Sequence, residues 1–147
     1  MALRLVLLLV AALTLSACGA KSVWAPEDMV QRVAYKHPGP TSISLLTVKN
    51  VGSDNGAHTA LVINASQRVI WDPAGSFQHT TIAERNDVIF GASPALLALF
   101  IDYHTRAEYY TIEQTVQVPP AVAEGLMRRA MARGPISQAM CTRSTVG

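Results

Sequence analysis

Short runs of β-forming residues set the framework of this chain. His58-Thr59-Ala60-Leu61-Val62-Ile63 and Arg68-Val69-Ile70-Trp71 flank the four residues Asn64-Ala65-Ser66-Gln67. Two such runs with a short polar connection predict an antiparallel hairpin. Ser42 to Asn50 predicts a strand before it, joined by a turn-rich loop from Val51 to Gly56. Glu108 to Val118 alternates and is rich in Tyr, Thr, Ile and Val, predicting another strand. Asp87 to Gly91 predicts a short strand or an extended link.

Helical spacing appears in three places. Pro26-Glu27-Asp28 opens a short helix to about Lys36, with acids where a helix N-terminus is positive. Ser93-Pro94 supplies a cap and a first-turn proline for a helix to about Arg106, on which Leu96, Leu97, Phe100, Ile101 and His104 recur. Pro119-Pro120 ends the last strand and opens a helix to about Arg133, with Val122, Ala123, Leu126, Met127 and Ala130 as its apolar stripe. The sum is an α+β domain, a small antiparallel sheet with flanking helices.

The N-terminus has a different pattern. Arg4 precedes an apolar run from Leu5 to Leu13, and small residues follow at Ser16 and Ala17. This predicts a secretory signal. Leu15-Ser16-Ala17-Cys18 resembles the bacterial lipobox, which implies that Cys18 is lipidated and becomes the mature N-terminus. The expected organisation is a lipoprotein signal peptide over residues 1–17, a lipidated tether over 18–26, and one α+β domain over 27–147. Ala20, rather than Asp, at the second position after Cys18 implies the outer membrane facing the periplasm, with the lipid on Cys18 as the membrane partner. The net charge of +2 across 147 residues, with no basic stripe interleaved with aromatics, argues against nucleic acid.

Candidate chemistry follows from the hairpin. Pairing its strands puts His58 and Asp72 at the same open end, where a carboxylate can fix the tautomer of an imidazole. The chain has two cysteines. With Cys18 lipidated, Cys141 has no disulfide partner and becomes the candidate nucleophile. His79 is the reserve for the third position. Singly, His58 suits a strand end, Asp72 a turn before Pro73 and Cys141 a small core position. The four histidines, His37, His58, His79 and His104, have no short ligand spacing, so neither metal nor cofactor is expected.

His58 with its alternating run, then a turn, then a run ending in Trp71-Asp72-Pro73, resembles the NlpC-type cell-wall cysteine peptidases. The order His58, Asp72, Cys141 resembles their circularly permuted papain-like branch, which includes bacterial lipoproteins and lipid-acting acyltransferases. The resemblance spans roughly Ser42 to the C-terminus. It implies a thiol hydrolase or acyltransferase acting on peptidoglycan stem peptides or a lipid acyl group. In that family the Cys begins a helix, whereas only six residues follow Cys141. The expectation is therefore a chain incomplete at its C-terminus, with Thr142 to Thr145 as the helix beginning. The alternative is a non-catalytic envelope binding or scaffold lipoprotein on a degenerate peptidase fold.

Overall fold

A computed structural model describes residues 22–137 together with Ser144 and Thr145. The expected signal peptide over residues 1–17, Cys18 and Cys141 lie outside the described residues. Among those described, the chain is α+β, with three helices and a six-stranded antiparallel sheet. The helices are α1 (Glu27–Val33), α2 (Pro94–His104) and α3 (Pro120–Ala132). The strands are β1 (Ser42–Asn50), β2 (Gly56–Asn64), β3 (Arg68–Trp71), β4 (Glu84–Arg85), β5 (Val88–Ile89) and β6 (Tyr109–Gln117). Their order across the sheet is β4-β5-β3-β2-β1-β6. Among the described residues, no helix is long and apolar enough to cross a membrane.

Alternation along the strands divides the core into two faces. Leu61, Ile63, Val69 and Trp71 face one way and pack with Val30 of α1 and Ala123, Met127 and Ala130 of α3. Leu46, Ala60, Val62 and Ile70 face the other way and pack with Phe77 and with Phe100 of α2. Each helix therefore covers the sheet face that its apolar stripe selects.

Local chemistry sets where elements stop. Pairs one helical turn apart, Gln31 to Glu27 and Arg32 to Asp28, support α1. The helix ends at Val33 rather than Lys36 because the Tyr35 carbonyl accepts the Arg68 N–H at 2.7 Å, which draws the chain onto the sheet. Gly91, at φ 72°, passes so close to Val33 that a Cβ would lie 2.4 Å from its carbonyl oxygen. Ser93 caps α2, its hydroxyl accepting the Leu96 N–H at 3.2 Å.

Two features depart from the sequence pattern. Residues 22–25, read as part of a tether, run along β4: Trp24 bridges to Arg85, and the Ala25 N–H donates to the Glu84 carbonyl at 2.8 Å. An edge strand of two residues leaves backbone groups unpaired, and this segment takes them up. β2 also carries a bulge. Val48 pairs with His58 but Lys49 pairs with Gly56, leaving Ala57 as an extra residue just before His58.

Candidate active site

The bulge at Ala57 and the alternation of β2 place His58 on the face of Ala60 and Val62, the one covered by α2. Asp72 follows the last residue of β3 and is held there on both sides. Its N–H donates to the Asp87 carbonyl at 2.8 Å, and its carbonyl accepts the Gly75 N–H at 2.9 Å. The second bond closes a tight turn with Pro73 at its second position and Ala74 in the left-handed region at φ 59°. Gly75 leaves room for the carboxylate.

His58 and Asp72 meet directly. His58 Nε2 lies 2.5 Å from Asp72 Oδ1, with the two side chains 15% and 4% exposed. A carboxylate accepts, so Nε2 carries the hydrogen and the neutral ring has its lone pair on Nδ1. Burial keeps water from competing for the carboxylate. The pair is therefore an oriented imidazole base.

A second imidazole stands beside it. His104, the last residue of α2, lies with its ring centroid 5.3 Å from that of His58 and the two rings 8° from parallel. Its Nδ1–H donates to the Phe100 carbonyl at 2.8 Å, one turn back. Burial pushes the His104 pKa down, since the charged ring would lose hydration; the Phe100 carbonyl and the Asp72 charge oppose this in part.

Two more carboxylates approach from the β4–β5 hairpin. Glu84 is pushed up to about 7, chiefly by burial and then by the charges of Asp72 and Asp87. Asp87 is also raised, again by burial first, although its carboxylate accepts the Ile136 N–H at 2.7 Å. That bond anchors the segment following α3 beside the dyad. Four residues after Cys141 in the sequence, Thr145 and Thr59 share a hydroxyl hydrogen bond at 3.0 Å, and Ser144 and Thr145 are helical.

A cavity of about 270 Å³ opens next to His58 and His104. Val48, Tyr103 and Tyr109 give it apolar and aromatic walls, and Arg106 adds a cation. Of the residues singled out in the sequence, the structure joins His58 and Asp72. His79 is exposed, bonded to the Thr81 hydroxyl at 2.8 Å, and takes no part in the pair. His104 and Glu84 were not expected at the site. Their convergence depends on how α2 and the β4–β5 hairpin cross the sheet, and no local spacing carries that signal.

No protein-family model, curated protein or solved structure matches the chain.

Proposed function

We propose that this chain is a thiol hydrolase or acyltransferase of circularly permuted papain-like fold, anchored in the bacterial envelope by lipid on Cys18. The observation that carries the reading is the His58–Asp72 pair, with the carboxylate buried, the imidazole held in one tautomer and His58 lining a cavity. Chain connectivity supports it. Ile136 is tied to Asp87 five residues before Cys141, and Thr145 is tied to Thr59, next to His58, four residues after it. Four peptide units span at most about 14 Å.

In the proposed reaction His58 Nδ1 takes the Cys141 thiol proton, and the thiolate sulfur attacks an amide or ester carbonyl. The tetrahedral intermediate collapses with cleavage of the bond to the leaving group, which receives the proton from His58. Water, or a second alcohol or amine, then takes the acyl group from sulfur by the reverse proton path. Asp72 keeps the ring oriented and stabilises its charged form. The Tyr-lined cavity with Arg106 suits a substrate that pairs an apolar portion with an anionic one, as stem peptides and lipid acyl esters both do.

The test is turnover by chelator-treated protein on stem-peptide and acyl-ester substrates, beside its Cys141→Ala and His58→Ala variants. Loss of turnover in both, with the fold unchanged by circular dichroism, is expected. Turnover retained in either removes the thiol mechanism, and no turnover in the unaltered protein leaves a binding or scaffold lipoprotein.

A further inference from the structure

The thiol reaction uses one imidazole, yet the site holds two. We propose that His58, Asp72 and His104 form a binding site for a divalent first-row transition metal ion of the zinc class. Each side chain offers one ligand atom, and these atoms all lie within 4.8 Å of one another.

Zinc sits about 2.0–2.2 Å from nitrogen and oxygen donors, which places tetrahedral donors roughly 3.4 Å apart. The widest gap therefore closes by little more than an ångström, and the 2.5 Å contact between His58 and Asp72 opens by rather less. Binding requires the two nearly parallel rings to turn about their side-chain bonds so that they aim at one point. Two imidazoles and one carboxylate suit zinc and its neighbours, whereas magnesium and calcium need sites rich in oxygen.

His104 is held as metal-binding histidines are. Its Nδ1–H is committed to the Phe100 carbonyl, which leaves Nε2 to coordinate and sets the tautomer. Asp72 is fixed by its turn and its burial. Three protein donors leave one position open for water or a further ligand.

Metal at this site has a consequence for the thiol reading, on which this consequence, though not the binding itself, rests. The ion takes the lone pair of His58 Nε2, so the ring's single proton moves to Nδ1. No lone pair then remains for the Cys141 proton, and the ion switches the thiol reaction off.

The experiment is a zinc titration of the full chain followed through the ring nitrogens of its four histidines by NMR. The expected result is that the His58 and His104 resonances change and saturate at one equivalent, while those of His37 and His79 stay in place. Chelator competition on His104→Gln, which keeps a polar side chain in the space, is expected to show at least tenfold weaker binding. No change at one equivalent, changes confined to His37 or His79, or unweakened binding in His104→Gln overturns the site. None of these readouts depends on turnover, so the site can fail while the thiol hydrolase stands, and the reverse.

Discussion

Gly75 makes room for the carboxylate of Asp72. A Cβ on Gly75 would lie 1.7 Å from Asp72 Oδ2 and 2.1 Å from its Cγ, closer than any real contact. The dyad thus depends on a glycine that is not itself one of its two members. Gly75→Ala is expected to push Asp72 away from His58 at a cost of about 1–3 kcal/mol in stability, the range for a buried hydrogen-bond network that is broken. The far-downfield NMR signal of the His58 Nε2 proton reports the contact, and its persistence in Gly75→Ala would show that the turn yields without disturbing the pair.

Glu84 gives the fold a pH dependence of definite sign. Its carboxyl is raised from 4.5 to about 7 in the folded chain, so between those values the folded state holds a proton that the unfolded state has released. Its contribution to stability is fully present below about 4.5 and is lost as pH rises through about 7. Because the group is half-exposed, the effect is discounted to about 1 kcal/mol. Glu84→Gln is expected to remove this loss, so that the variant gains on the wild type as pH goes from 5 to 8. Denaturant midpoints at the two pH values check it, and an equal decline in both proteins would exclude Glu84 as the source.

Phe100 joins the core to the site. It is 1% exposed, meets Phe77 edge-on with centroids 5.1 Å apart, and lies 4.4 Å from the His104 ring. Phe100→Ala is expected to cost about 3–5 kcal/mol. Water entering the space would relieve the burial that depresses His104, so its pKa is expected to rise. Denaturant unfolding measures the first effect, and NMR titration of the His104 ring measures the second. A His104 pKa unchanged in the variant would show that Phe100 does not supply the burial.

Much of the frame was legible because local patterns agreed with the tertiary structure. The run from Ser42 to Asn50 is β1 to the residue, and the expected turn separates β2 from β3, although Asn64 ends β2 and only Ala65, Ser66 and Gln67 lie between the strands. Ser93-Pro94 begins α2 with the anticipated cap. His58 and Asp72 meet because the hairpin brings them to one end. What escaped depends on long-range geometry. β4 is two residues long and pairs with Trp24 only through an isolated bridge, so it has no periodicity to detect. The bulge at Ala57 leaves no mark in a run of small residues. His104 has the spacing of an ordinary core position, and only the crossing of α2 over β2 brings it against His58. Glu84 and Asp87 look like surface acids in the sequence, and burial beside Asp72 gives them their raised pKa values.

Under the proposed function, Cys141 and His58 form a thiolate–imidazolium pair. The most direct measurement is the pH dependence of Cys141 alkylation in chelator-treated protein beside its His58→Ala variant. A free thiol ionises near pH 8.5, and pairing with a protonated imidazole lowers that value by roughly one to five units. Alkylation that stays fast well below that pH in the wild type, and shifts back towards free-thiol behaviour in His58→Ala, is the expected result. A thiol that is inert, or that reacts with the same pH profile in both proteins, contradicts the pair and makes Cys141 a structural residue.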